Sequence, residues 1–134
     1  MRILFAFVAA LWMQAASAEL VVVANKSVTV SSMKRAELSR IFLGQSSSFP
    51  DGSTAVPLDV SGDYRKSFYT YVLQRDPSNV EKYWARMIFT GKAQPPREVR
   101  VQEVRNVVAE TRGAVSYLGK SQVDDSLKVI AITD

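Results

Sequence analysis

The sequence of 134 residues contains no cysteine and no histidine. Without cysteine the chain cannot form a disulfide, a thiolate nucleophile or a zinc–thiolate cluster. Without histidine it lacks the imidazole base of the usual Ser-His-Asp and Cys-His hydrolases. These absences exclude the commonest nucleophilic and metal chemistry, and we predict neither a metal site nor a cofactor.

The sequence also has only a small excess of positive charge. It contains 17 basic and 13 acidic side chains, which leave a net charge of +4. The densest basic points are Lys34-Arg35 and Arg65-Lys66, and aromatic residues do not alternate with them. A single-stranded nucleic acid would need such aromatic platforms beside the charges. We therefore predict no nucleic-acid partner. The composition, 47% hydrophobic and 22% charged, is typical of one ordinary globular domain.

The only long apolar run lies at the start of the chain. Arg2 precedes the run Ile3 to Met13, and Ala16-Ser17-Ala18 follows it. A membrane anchor is the alternative, but the run is shorter than the ~20 residues that cross a bilayer core. The three regions instead predict a signal peptide over residues 1–18, cleaved after Ala18. We therefore expect a periplasmic protein whose mature domain spans residues 19–134.

Strands and helices alternate along the rest of the sequence, which predicts an α/β domain with helices covering a sheet. The predicted strands are 20–24, 54–60, 114–118 and 127–132. The predicted helices are 33–43, 61–75, 78–90 and 97–111. Pro57 confines the second strand to an edge or a strand end, because proline cannot donate a ladder hydrogen bond. Inward helix positions are predicted at Leu38, Ile41, Phe42, Phe68, Tyr71, Val72, Trp84, Ile88 and Phe89.

A candidate binding site lies where the second strand passes into a helix through Ser61-Gly62-Asp63. A helix start presents unpaired backbone N–H groups to an oxyanion, and Arg65 adds a planar charged donor. A second polar junction begins at Asn25, after the first strand. Open α/β sheets bind ligands at the carboxyl ends of their strands, so we expect Asn25 to close the other side. The alternative is an ordinary helix cap with a solvated arginine.

Several motifs, in order, resemble those of the phosphate-binding proteins of ABC importers. The matching segments are Leu38 to Gly44, Phe49 to Gly52, Phe68 to Leu73, Tyr83-Trp84, Phe89 to Gly91, Pro95-Pro96 and Arg112 to Leu118. The pieces IFLG and GAVSYL are the more specific ones. The resemblance covers nearly all of residues 19–134, and it is strongest to short members of the periplasmic-binding-protein-like group.

The resemblance implies one lobe of a type II periplasmic-binding-protein-like fold, with a mixed sheet flanked by helices. It further implies a solute-binding protein without catalysis that takes inorganic phosphate or a related oxyanion, and Ser61-Gly62 match the Ser-Gly-Thr turn of the family. The full candidate site, from the residues and the resemblance together, is Asn25, Ser61, Gly62, Asp63 and Arg65. The full-length proteins close two lobes on the ligand, so a homodimer could rebuild the cleft. Asp63 replaces the threonine of the family turn, Asp59 lies where a cation is expected, and Ser116 replaces a glycine.

Two hypotheses about function stay open at this stage. The first is a binding module for an ABC-type uptake or sensing system. The second is an interaction module that has lost tight ligand binding and serves a membrane sensor or porin. An Arg65 without a carboxylate partner favours the first, and an Arg65 neutralised by Asp59 or Asp63 favours the second. An enzyme built on a carboxylate pair ranks third, and we predict no catalytic residue.

We expect the exported protein to begin at Glu19, because a small-residue cleavage site ends at Ala18. Intact-mass measurement on protein recovered from the periplasm checks this. A mass that still includes Met1 to Ala18 would contradict the assignment.

Overall fold

A computed structural model describes residues 19–134, so the predicted signal peptide lies outside the described residues. The strands are β1 (Leu20–Ala24), β2 (Ser32–Lys34), β3 (Val56–Val60), β4 (Arg97–Val99), β5 (Ala114–Gly119) and β6 (Lys128–Thr133). The helices are α1 (Arg35–Phe42), α2 (Asp63–Ser67), α3 (Pro77–Phe89) and α4 (Val104–Glu110). A π-helical turn, Phe68–Val72, continues α2, and 3₁₀ turns occupy Val101–Glu103 and Lys120–Gln122.

The six strands form one mixed sheet in the order β2-β6-β1-β5-β3-β4. Strand β1 is antiparallel to both of its neighbours, β5 and β6. The pairs β2–β6, β3–β4 and β3–β5 are parallel. Five strands therefore end at the same edge of the sheet, called the carboxyl edge below, and β1 ends at the opposite edge. The predicted α/β class with a mixed sheet is confirmed.

The centre of the sheet is formed by β1 and β5. Every residue of β5 is buried, and so are the last three residues of β1. A continuous run such as LVVVA is typical of a strand that is covered on both faces, and that reading is confirmed. Pro57 lies where β3 pairs with β5, before β4 joins at Leu58, so it occupies the strand end that its missing N–H requires.

The predicted helix 97–111 is wrong in its first part. Residues 97–99 form strand β4, in which Val99 pairs with Val60, and α4 begins only at Val104. Similarly, Met33 belongs to the short strand β2 and not to α1. Three-residue strands carry too few positions to show a two-residue period, and it is their pairing partner in the sheet that makes them strands.

The predicted helix 61–75 ends earlier and changes its pitch. After α2, the chain forms the π-helical turn, in which Leu73 N–H donates to Phe68 C=O at 3.0 Å. The wider turn shifts the helical register, so Phe68 and Tyr69 are both buried while Tyr71 is exposed. The inward position predicted for Tyr71 is therefore wrong, and Tyr69 takes its place.

Helix α3 begins after Asp76, whose carboxylate accepts a hydrogen bond from Ser78 N–H at 2.9 Å. Pro77 occupies the first helical position, where a missing N–H costs nothing. Trp84 is buried, as predicted, but Ile88 is half exposed and Phe89 is 92% exposed. Phe89 lies about 140° around the helix from Trp84, which removes it from the core face.

The indole of Trp84 fills the space beside Gly44, the second residue after α1. Gly44 has φ 72°, and a Cβ there would lie 3.2 Å from the Trp84 ring.

No helix between residues 19 and 134 is both long enough and apolar enough to cross a bilayer.

We predict that Trp84→Ala lowers the free energy of unfolding by about 3–5 kcal/mol, because it empties a buried aromatic site. The matched control is Phe89→Ala on the same helix, which should change stability by less than about 0.5 kcal/mol. Urea denaturation followed by circular dichroism measures both. Equal effects of the two substitutions would contradict the packing described above.

Candidate functional site

The turn after β3 lies at the carboxyl edge of the sheet. Ser61 N–H donates to Val99 C=O at 3.0 Å, which holds the turn against β4. Gly62 has φ 86°, a left-handed conformation that favours glycine. Arg65 N–H donates to Gly62 C=O at 3.2 Å as α2 begins at Asp63. The structure therefore brings together four of the five predicted site residues.

A buried carboxylate lies directly beneath this turn. Asp59, in β3, is only 1% exposed. Its Oδ1 accepts a hydrogen bond from the Tyr117 hydroxyl at 2.9 Å, and its Oδ2 accepts one from the Tyr69 hydroxyl at 3.1 Å. The Tyr117 hydroxyl also accepts from Val60 N–H at 2.9 Å. Burial raises the pKa of Asp59, and the hydrogen bonds from the two tyrosines and the charge of Arg65 offset part of that rise.

An aromatic stack positions Tyr117. Its ring lies nearly parallel to the ring of Phe68, with centroids 3.9 Å apart, and Phe68 in turn packs on Phe42 at 4.8 Å. Burial and the nearby charge of Asp59 raise the pKa values of both Tyr69 and Tyr117 far above that of free tyrosine. Both hydroxyls therefore stay protonated and act as donors to the carboxylate.

Arg65 connects this buried group to the surface. Its Nε lies 3.4 Å from Asp59 Oδ2, its Nη1 donates to Glu81 Oε1 at 2.7 Å, and its guanidinium lies 5.1 Å from the centre of the Tyr69 ring. Burial acts to lower the pKa of Arg65, but the Glu81 hydrogen bond and the Asp59 charge outweigh it and raise that pKa. The guanidinium is thus fully charged and paired with two carboxylates, the condition that favours the interaction hypothesis.

Asp59, which lies where the family has a cation, faces the interior of the protein. Its oxygens point at the hydroxyls of Tyr69 and Tyr117 inside the fold, so solvent does not reach them. The carboxylate that lies beside the turn at the surface is that of Asp63, which is exposed. A bound anion would meet the charge of Asp63 directly and that of Asp59 only through the protein.

Asn25 is not part of this group. It follows β1, which runs antiparallel to its neighbours, so it lies at the opposite edge of the sheet from Ser61, about 16 Å away along β3. Its Nδ2 donates to Val108 C=O at 2.8 Å and to Ala109 C=O at 3.0 Å. The side chain satisfies carbonyls at the end of α4, and the structure does not bring it to the predicted site.

Three participants were missed by the sequence analysis, namely Tyr69, Tyr117 and Glu81. The signal for Tyr117 was a side chain with a polar tip inside an otherwise apolar buried strand. Glu81 gave no signal, because it lies on a different helix from Arg65. Among residues 19–134, no three acidic side chains gather closely enough to hold a metal ion.

Ser116 has a structural role in the same strand. Its hydroxyl donates to Leu58 C=O at 2.7 Å and so joins β5 to β3 next to Asp59. The serine that stands where the family has glycine is thereby fully satisfied inside the sheet.

No family model and no curated protein matches this chain. Solved structures do match it. A phosphate ABC transporter substrate-binding protein from Clostridium perfringens, solved with bound phosphate, superposes with a TM-score of 0.65 at 11% identity over 84% of this chain and 44% of its own. PstS from Borrelia burgdorferi gives a TM-score of 0.63 at 13% identity over 86% and 47%. An ABC-type phosphate transport receptor from Vibrio cholerae gives 0.58 at 16% identity over 86% and 47%.

The described chain therefore spans less than half the length of these transport proteins. TM-scores of 0.58–0.65 at identities of 11–16% show a shared fold. The resemblance to the phosphate-binding proteins of ABC importers is confirmed at that level: the chain has the α/β fold of a part of the phosphate-binding proteins of ABC transporters.

Proposed function

We propose that this protein is an exported oxyanion-binding module of an ABC-type uptake or sensing system, with inorganic phosphate as the first ligand to test. The observation that supports it is the placement of Ser61, Gly62 and Arg65 together at the carboxyl edge of a fold shared with a phosphate-bound transport protein. The neighbours are transport proteins, so the proposal is binding without catalysis.

The turn offers an anion close access to the backbone. Nothing lies within 4 Å of the position that a Cβ on Gly62 would take, so the space above the turn is open. The first N–H groups of a helix have no partner inside the helix, and the Ser61 hydroxyl is a further donor. Helix α2 has only five residues, so its dipole adds little and Arg65 must supply most of the attraction.

Arg65 can accept an anion by exchanging one of its two partners. Glu81 is 65% exposed, and such surface ion pairs contribute only about 0–1 kcal/mol. Asp59 is buried, so its contact with Nε of Arg65 is kept when Nη1 of Arg65 exchanges Glu81 for the anion. The guanidinium, itself 24% exposed, therefore stays in place during the exchange. The Asp63 carboxylate opposes the incoming charge, so we expect weak affinity in the isolated chain.

We predict that Arg65→Ala weakens phosphate binding about 10- to 150-fold, because a charged hydrogen bond is lost. Glu81→Gln should strengthen binding by up to about fivefold, because the competing carboxylate disappears. Arg86→Ala and Glu110→Gln, at exposed sites away from the turn, serve as matched charge controls and should change nothing. Isothermal titration of residues 19–134 with phosphate and with sulfate measures all five proteins.

Opposite responses of Arg65 and Glu81 variants are the distinguishing result. Unchanged affinity in Arg65→Ala would show that the anion binds elsewhere. Equal weakening by both substitutions would indicate that the Arg65–Glu81 pair is needed for the fold of the turn rather than exchanged for ligand.

The second candidate is an interaction module for a membrane sensor or porin. It is favoured by the pairing of Arg65 with Asp59 and Glu81 and by the exposure of Phe89 at the end of α3. If wild-type protein binds neither phosphate nor sulfate at millimolar concentration, this candidate replaces the first. A homodimer that rebuilds a cleft is a variant of the first candidate, and light scattering with and without phosphate tests it.

A further inference from the structure

An open cavity lies between α1 and the first half of α3, and it includes no residue of the Ser61 turn. It has a volume of about 640 Å³, and the segment that joins the π-helical turn to α3 forms part of its wall. This volume lies within the range of small-molecule sites, about 300–1,000 Å³. The lining combines buried apolar side chains with two arginines, Arg35 and Arg75.

Both arginines are fixed through Nε to oxygen atoms of the protein. Arg75 Nε donates to the hydroxyl of the buried Ser39 at 2.7 Å, and Arg35 Nε donates to Val72 C=O at 2.8 Å. The backbone N–H of Arg75 donates to Tyr69 C=O at 2.7 Å, which further restrains the residue. A guanidinium held at Nε keeps its two outer nitrogens free to bind both oxygens of one carboxylate.

One guanidinium of the cavity has no direct ion pair. Arg35 pairs with Asp134. The Asp76 carboxylate, which also lines the cavity, accepts hydrogen bonds from the N–H and hydroxyl of Ser78 and keeps its negative charge. Within residues 19–134, no carboxylate lies within ion-pair distance of Arg75. Asp134 places a carboxylate on one of the two arginines, and the outer nitrogens of Arg75 are donors of the same chemistry.

The apolar part of the cavity is the half-buried ring of Tyr83, which lies with the buried side chains of Leu43, Leu73 and Val80. The Tyr83 hydroxyl donates to Leu43 C=O at 2.6 Å, which fixes the ring. Inorganic phosphate would leave the exposed face of the ring uncovered. A carboxylate attached to a short apolar group would satisfy the guanidinium and cover the ring at the same time.

We propose that this cavity binds a small organic acid, with its carboxylate on the outer nitrogens of Arg75 and its apolar body on the ring of Tyr83. This site shares no ligand-binding residue with the Ser61 turn, and it does not depend on the function proposed for that turn. Its ligand is a monocarboxylate with an alkyl or aryl group rather than phosphate.

The experiment is an NMR titration of ¹⁵N-labelled residues 19–134 with hexanoate, using hexanamide, acetate and phosphate as comparison ligands. Hexanoate should shift the amides of residues 73–80 and saturate. Hexanamide lacks the charge and acetate lacks the apolar body, so each should bind about tenfold or more weakly. Arg75→Gln should weaken hexanoate binding about 10- to 100-fold, and Arg86→Gln on the outer part of α3 is the matched control.

Asn79→Asp provides a second variant that keeps Arg75 and its contact with Ser39. It places a carboxylate at an exposed position of the cavity wall, where it should compete for Arg75 and weaken hexanoate binding severalfold. Arg65→Ala should leave hexanoate binding unchanged, which separates the two sites. Equal binding of hexanoate and hexanamide, unchanged affinity in both cavity variants, or no saturable shift up to about 50 mM would overturn the proposal.

Discussion

A carboxylate buried at the end of a strand must be compensated by donors that arrive from neighbouring elements, and Asp59 imposes this requirement on the whole carboxyl edge. Tyr117 reaches it from β5, Tyr69 from the π-helical turn and Arg65 from α2. Removal of one donor would leave a buried charge partly unsatisfied. The group therefore ties the turn after β3 to the sheet and fixes where Arg65 can lie.

The π-helical turn carries two of the side chains that meet this requirement. Phe68 stacks on Tyr117 while its neighbour Tyr69 donates to Asp59. The wider turn changes the register of the residues that follow, and Tyr71 is exposed. Packing and polar satisfaction thus override the simple helical stripe that the sequence suggests.

The features that could be predicted from the sequence are local ones, and those that could not depend on contacts between distant parts of the chain. The runs LVVVA and AVSYLG are short and apolar, as is typical of buried strands, and Ser61, Gly62 and Arg65 are neighbours in the chain, so both were predictable. The position of Asn25 was not, because it depends on the direction of β1, which only the pairing with β5 and β6 reveals. The short strands β2 and β4 and the partner Glu81 were missed for the same reason.

Arg65 and Arg75 are both held at Nε, but their guanidinium groups differ in how available they are to a ligand. Arg65 is held at Nε by a charged, buried carboxylate, so part of its field is neutralised before any anion arrives. Arg75 is held at Nε by a neutral hydroxyl and has no direct ion pair within residues 19–134, although the Asp76 carboxylate lines the same cavity. Under the oxyanion proposal the exposed Glu81 contributes only about 0–1 kcal/mol of competition at Arg65, so Asp59 beneath and Asp63 beside the turn would limit the affinity. Under both proposals the residue that holds the guanidinium, more than the guanidinium itself, decides which anion the site takes.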